Sequence, residues 1–416
     1  MKQKGGRLRK LLPKLLLIIL GFLFGAGVAE ISLRMAGYSY PAFYQLDLVR
    51  GYALRPGAEG WYRKEGRSYV RINSDGLRDH EHSLIKPPNT LRIALLGDSY
   101  PEALAVALEQ AFWSVMKGKL QQCDDAAGKA IEIINFGVSG YGTAQELLTL
   151  REKVWKYSPD MVMLAVTTNN DLTDNSRALK KVDEIPYFVY RDNQLALDNS
   201  FQSSSTFVHR QSYTNRFGRW LRDHSRVVQA TIEGHHALKL MTASWRARWS
   251  RPEPVPAPTN SPIQKPNPSS NAEELGADNL VYREPGSEVW NDTWRVTEGL
   301  ITEMRDEVRA RNAKFLVVTL SNGPQVFPDP TQREAVAQRI GATDLFYPDK
   351  RIKSLGEREH IPVITLAPDL QQFAESNKVF LHGFDKNIGN GHWNVIGNRV
   401  AGELIAKKIC EGALLK

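Results

Sequence analysis

The sequence predicts a three-layer α/β/α sandwich built around a five-stranded parallel sheet, and two observations carry that prediction. Short, almost wholly apolar runs recur at residues 92–96, 131–136, 161–167, 315–320 and 363–366, as expected of strands covered on both faces. Between them lie segments with helical periodicity, at 102–122, 144–156, 289–311, 332–340, 348–359 and 395–410. Strands that alternate with helices give a parallel sheet flanked by helical layers.

The elements follow in chain order over 416 residues, long enough for one large domain with embellishments. The chain opens on Lys2, Lys4, Arg7, Arg9, Lys10 and Lys14 with no acid among them, which accounts for six of the eight net positive charges. The remaining body is nearly neutral, so its charge gives no argument for a nucleic-acid partner. Residues 15–29 are uncharged and mostly apolar, and Glu30 follows. A basic segment before an apolar run is an export signal, with the N-terminus cytoplasmic and the body outside. The apolar run is short for a span of about twenty residues, but Leu11 and Leu12 extend it and Lys14 and Arg34 can snorkel. A retained signal anchor in residues 1–37 is the favoured reading, with an extracytoplasmic, periplasmic body. The alternative is a secreted protein cleaved after Gly27-Val28-Ala29.

Residues 38–90 read as an N-terminal apron of extended pieces and turns, punctuated by Arg55-Pro56-Gly57, Asn73-Ser74-Asp75-Gly76 and Lys86-Pro87-Pro88. The sandwich occupies residues 91–416. Its first strand ends in Gly97-Asp98-Ser99, where a serine at the carboxyl end of a buried strand opens a helix with backbone N–H groups beside it. That is a nucleophile's position, and a nucleophilic serine needs a base and oxyanion donors from the neighbouring strand ends. The second strand is followed by Gly137-Val138-Ser139-Gly140, where Gly140 can offer a backbone N–H. The third is followed by Thr168-Asn169-Asn170-Asp171, where Asn170 can offer a side-chain donor. After the last strand comes Gly389-Asn390-Gly391-His392-Trp393, which makes His392 the candidate base.

These four segments, in this order, resemble the conserved blocks of the SGNH (GDSL-type) hydrolase superfamily. Ser99 matches the block I serine, Gly140 the block II glycine, Asn170 the block III asparagine and His392 the block V histidine. The anchor and Asn73-Ser74-Asp75-Gly76-Leu77-Arg78-Asp79 also resemble membrane-anchored bacterial members and their polysaccharide O-acetylation relatives. The resemblance implies acyl-serine chemistry, with Ser99 N–H, Gly140 N–H and Asn170 as the oxyanion hole and no cofactor or metal. Two departures stand out. Thr168 replaces the block III glycine, and Gly389 and Asn390 stand where the family carries an aspartate shortly before the histidine. Two readings stay open for the missing acid: Asp385 brought round by the glycine-rich loop, or a Ser-His dyad whose histidine donates to a backbone carbonyl.

An insertion of about 175–285 interrupts the sandwich between its third and fourth strands. It begins with a hairpin around Asp192-Asn193, continues with a helical stretch at 213–249 and ends in a segment, about 250–278, expected to be disordered, where residues 252–268 hold seven prolines. Asp79-His80-Glu81-His82 carries metal-ligand residue types but reads as a solvated turn. In a flavodoxin-like sheet the helix after the first strand and the C-terminal helix lie side by side, so Cys123 and Cys410 are expected to be neighbours. The function this points to is an exported serine esterase that removes an acyl group, acetyl among the candidates, from a carbohydrate or cell-envelope ester. The alternatives are an O-acyltransferase acting on envelope polysaccharide and a glycan-binding member without turnover.

Overall fold

The computed structural model describes residues 4–126, 128–249 and 277–415. The chain divides into two compact units, one of residues 1–42 with 212–263 and one of residues 43–211 with 264–416.

The larger unit is built on five parallel strands: β5 (Thr90–Gly97), β6 (Ala130–Asn135), β7 (Met161–Thr167), β10 (Lys314–Leu320) and β11 (Val363–Thr365). Their spatial order is β11-β10-β7-β5-β6, the 2-1-3-4-5 order of a flavodoxin-like sheet when the five are numbered among themselves. Each strand is apolar along its length because both faces are covered. Leu96, Ile134, Leu164 and Val317 point into a core with the helix Glu288–Ala310, while Ile93, Leu95, Met163 and Val318 meet the helices Phe112–Leu120 and Val395–Glu411 on the other face. The α/β/α sandwich is therefore the observed architecture.

Departures from the expected elements have local causes. The segment expected to be one helix over 102–122 is broken, because Ala103 takes a left-handed conformation at φ 51° and ends the four-residue helix Ser99–Glu102. A second helix starts at Phe112. The helix Ala367–Asn377 has a proline in its first turn, a position where proline starts a helix and does not break one. Cys123 and Cys410 form a disulfide with a Cα–Cα distance of 5.8 Å, and Phe112 N–H donates to Asn398 Oδ1 at 3.0 Å between the two helices.

Residues 43–90 belong to the same unit. They contribute two antiparallel ribbons, β1 (Tyr44–Asp47) with β2 (Gly51–Leu54) and β3 (Glu59–Tyr62) with β4 (Ser68–Arg71). Buried Arg78 fastens this region to the sandwich by donating to the carbonyls of Glu102 at 2.7 Å and Val106 at 2.6 Å. Asp79 Oδ2 accepts from Asn135 N at 2.9 Å, at the end of β6. The expected solvated turn at 79–82 is in fact a clamp: the buried His82 ring sits 2.7 Å from Glu132 and 3.1 Å from Asp79. The hairpin of the insertion, β8 (Tyr187–Arg191) with β9 (Gln194–Asp198), lies in this unit too, and Arg295 reaches it through the Tyr190 ring and Asn193.

The smaller unit joins the N-terminal helix Lys4–Met35 to the helices Tyr213–His224 and Arg226–Trp249. Glu30 accepts from Ser225 Oγ and Val227 N, each at 3.0 Å, and Arg34 donates to Glu30 at 2.7 Å. The helical part of the insertion thus packs with the N-terminal helix. Within that helix Pro13–Met35 is long and apolar enough to cross a membrane by length and composition. The proline-rich segment lies outside the described residues.

Candidate active site

Strand β5 carries the chain to Gly97, and Asp98 caps the short helix that follows by accepting from Tyr100 N at 3.1 Å. Ser99 is the first residue of that helix, partly exposed at the carboxyl edge of the sheet. Its Oγ lies 2.7 Å from His392 Nε2, on the loop before the C-terminal helix. In the neutral tautomer protonated at Nδ1, the ring nitrogen facing Ser99 accepts the hydroxyl proton.

The partner of the other ring nitrogen is Glu65, not Asp385. Glu65 Oε2 lies 2.5 Å from His392 Nδ1, and Oε1 accepts from the His392 backbone N–H at 2.7 Å. Asp385 is exposed, in a three-residue turn away from this contact. A carboxylate that accepts from Nδ1–H fixes the tautomer that leaves Nε2 to accept from Ser99. Burial opposes the charge on each partner, and their mutual attraction wins. The Glu65 carboxyl is held below the ordinary range and the His392 imidazole above it, with Asp98 and Glu102 adding to the rise.

Glu65 arrives from the turn that joins β3 to β4. Two glycines make its seat possible. Gly391 has φ +85°, and a Cβ there would lie 2.3 Å from Glu65 Oε1. Gly66 has φ +62°, and a Cβ there would lie 2.3 Å from the Ala105 carbonyl. Sequence reasoning missed Glu65 because nothing in a ribbon 327 residues from His392 marks it. The usable signal was indirect: a glycine on each side of the contact.

The other candidates stand at neighbouring strand ends. Gly140 follows β6 and Asn170 follows β7, and these strands flank β5 in the sheet. Asn170 Nδ2 donates to Asp98 Oδ2 at 2.9 Å, and Thr167 Oγ1 donates to Asp98 Oδ1 at 2.9 Å, so Asp98 orients the loop after β7 as well as the helix that Ser99 opens. Thr168 is buried and accepts from Asn322 Nδ2 at 3.1 Å. Asp171 accepts from Thr167 N at 2.7 Å. Behind this loop, burial first and the Asp98 charge second hold Glu146 and Asp171 well above the carboxylate range.

A second histidine, His382, supports the loop from below. It is fully buried, which pushes its pKa down to about 4 and keeps it neutral. Nδ1 pairs with the Gly391 carbonyl at 2.8 Å and Nε2 with Ser321 Oγ at 3.1 Å, while Trp393 Nε1 donates to the same Ser321 oxygen at 3.0 Å. Trp393 is 1% exposed and packs edge-on against Tyr100, so packing dominates its role. Beside Ser99 is a small cavity of about 20 Å³ whose walls include Tyr62, Ala103, Leu104, Ser139 and Trp393. Glu102 backs Ser139: its carboxylate accepts from Ser139 N at 2.5 Å and from Tyr44 OH at 2.9 Å.

No protein-family model matches the chain, and no curated protein matches it. Among solved structures it is similar to an acetyl xylan esterase, AlAXEase, at 13% identity, covering 77% of this chain and 100% of that one with a TM-score of 0.35. It is similar to a lipase/acylhydrolase from Enterococcus faecalis at 12% identity, covering 77% and 96% with a TM-score of 0.35. A third similar structure is a catalytic mutant of Axe2, an acetylxylan esterase from Geobacillus stearothermophilus, at 10% identity, covering 77% and 94% with a TM-score of 0.36.

Proposed function

We propose that the protein is an SGNH-type serine esterase that removes a small acyl group, acetyl above all, from a carbohydrate or cell-envelope substrate. The observation that carries this reading is the continuous chain from Ser99 Oγ through His392 to Glu65, with links of 2.7 and 2.5 Å. A binding protein without turnover has no need of a carboxylate behind the histidine that faces its serine.

In the mechanism, Ser99 Oγ attacks the ester carbonyl carbon as its proton passes to His392 Nε2, and Glu65 stabilises the imidazolium that forms. The oxyanion lies toward the Ser99 and Gly140 backbone N–H groups and the Asn170 side chain. Collapse breaks the bond to the alcohol, which leaves with the proton returned by His392. Water then attacks the acyl-serine, losing a proton to His392; the bond from the acyl carbon to Ser99 Oγ breaks as His392 returns that proton to Ser99, and the carboxylic acid departs. The cavity of about 20 Å³ beside Ser99, walled by Tyr62, Leu104 and Trp393, supports a small acyl group.

The N-terminal helix with its basic flank, and the Cys123–Cys410 disulfide, support an anchored protein whose catalytic domain faces an oxidising extracytoplasmic space. Fluorophosphonate labelling and p-nitrophenyl acetate hydrolysis test the reaction. The expected result is labelling and turnover by the wild-type protein and neither in Ser99→Ala; turnover that survives this substitution would overturn the assignment. Adding a glycan acceptor distinguishes hydrolysis, with free acetate as product, from acyl transfer.

A further inference from the structure

The helix Tyr213–His224 is amphipathic, and its mounting is the reverse of what a helix in water adopts. At about 100° per residue, Tyr213, Phe217, Trp220, Leu221 and His224 fall on one face and Asn215, Arg219, Arg222 and Asp223 on the other. A globular protein packs the apolar face of such a helix and leaves the polar one in solvent. Here the polar face is the packed one. Asn215, Arg219, Arg222 and Asp223 are half-buried, Arg222 lies 3.8 Å from Glu233 of the helix Arg226–Trp249, and Gln229 Nε2 donates to the Arg222 carbonyl at 2.8 Å. The apolar face is open: Tyr213 is 87% exposed, Phe217 62% and Trp220 53%. The rings of Phe217, Trp220 and His224 stack along it with centroids 5.9 and 4.7 Å apart. Stacked rings make one continuous surface, and a surface of that kind meets something other than water.

The attachment of the helix identifies that surroundings. Arg34 donates to the His224 carbonyl at 2.7 Å, and Glu30 accepts from Ser225 Oγ and Val227 N, so the C-terminal end of this helix is held at the last turns of the N-terminal helix. Those turns close the apolar segment Pro13–Met35. In the anchored reading they are the extracytoplasmic end of the span, where hydrocarbon gives way to headgroups. Val28, Ile31 and Met35 are exposed there, so the apolar surface of the span reaches the same level as the clasp. Tyrosine and tryptophan collect at this depth because each has an apolar body for the acyl boundary and a polar atom for the headgroups. A helix with an aromatic face on one side and arginines on the other is the pattern of a helix that lies in the membrane interface.

We propose that the helix Tyr213–His224 is an interfacial helix resting on the outer leaflet of the membrane that the N-terminal helix spans, with Tyr213, Phe217, Trp220 and Leu221 inserted at the boundary between headgroups and acyl chains. The proposal goes beyond the esterase reading and rests on the anchored reading for the presence of a bilayer. It gives the smaller unit a second hold on the membrane beside the span itself. The competing occupant of the face is protein, either another segment of this chain or a second copy.

Both cysteines of the chain are in the disulfide, so a single introduced thiol takes a label alone. The full chain carrying Phe217→Cys is labelled with bimane and reconstituted in phosphatidylcholine nanodiscs, which leave both faces of the bilayer open to solvent. Fluorescence is quenched by lipids spin-labelled near the headgroup or near the chain end, and separately by iodide in the water. The expected result is stronger quenching by the shallow lipid label than by the deep one, at a depth of about 5–10 Å, with loss of iodide quenching. Adding Trp220→Asp and Leu221→Asp should release the label to iodide, because carboxylates resist entry into lipid, with the fold checked by circular dichroism. A Phe217 label open to iodide and untouched by either lipid would overturn the proposal, and so would one shielded from iodide and lipid alike, the mark of a protein cover. A companion label at Phe24→Cys tests the anchor by itself. Deep quenching there beside an iodide-open Phe217 label strikes this proposal alone, whereas a Phe24 label out of reach of lipid strikes the anchored reading and the proposal with it.

Discussion

A single hydrogen at Gly391 decides where Glu65 can sit. Any larger side chain would push against Glu65 Oε1, and the positive φ would add backbone strain. Gly391→Ala is therefore expected to lower kcat by about tenfold or more while leaving the fold in place, a loss that steady-state kinetics beside circular dichroism would detect. The pH dependence follows from the same contact. His392 works as a base only when neutral, and Glu65 raises its pKa above the usual 6.5. The acid limb of kcat/KM should thus lie above that value, and losing the Glu65 charge should move it to lower pH. Ser99, Gly140 and Asn170 were legible as candidates in the sequence because each follows a strand that its apolar run reveals, and His392 because it stands in a glycine-rich stretch just before the C-terminal helix. Glu65 and His382 were not: one sits on a ribbon with no motif, and the other is a buried support whose partners are a carbonyl and a serine.

At the scale of elements, the five central strands were readable to within two residues because burial on both faces leaves an apolar run with clear ends. The ribbon β3–β4 was legible only as extended chain, since its alternation is short and half its residues are charged. Yet that ribbon supplies the acid on His392 and a wall of the cavity. Its seating is linked to pH through Glu65 and His392. The lowered Glu65 pKa contributes stability above the unfolded value of 4.5, lost as pH falls through the folded value. The raised His392 pKa contributes stability below the unfolded value of 6.5, lost as pH rises through the folded value. Hydrogen exchange should therefore show the ribbon amides best protected between these limits, and Glu65→Gln should flatten that dependence. The cavity makes a separate prediction: p-nitrophenyl acetate should exceed the butyrate ester by about tenfold or more in kcat/KM, because a longer acyl chain meets the wall formed by Tyr62, Leu104 and Trp393. Leu104→Ala should narrow that gap.

For the whole molecule, the Cys123–Cys410 bridge spans a sequence separation of 287 residues and ties the C-terminal helix to the connection between the helix Phe112–Leu120 and β6. Replacing both cysteines by serine should cost about 2–4 kcal/mol in unfolding free energy, measured by denaturant titration, with little change in kcat. The distribution of the site over the chain has the larger consequence. Ser99 and His392 come from opposite ends of the sandwich sequence, and Glu65 comes from before it, so the turn between β3 and β4 is part of the proposed active site. The central claim is that Glu65, and not Asp385, serves His392. Measuring kcat and its pH profile for Glu65→Gln and Asp385→Asn tests it most directly. Glu65→Gln is expected to lower kcat by about 10² to 10⁴ and shift the acid limb down, while Asp385→Asn stays within about twofold of wild type, as surface substitutions away from a site usually do. A large loss in Asp385→Asn, or an unaltered rate in Glu65→Gln, would contradict the account.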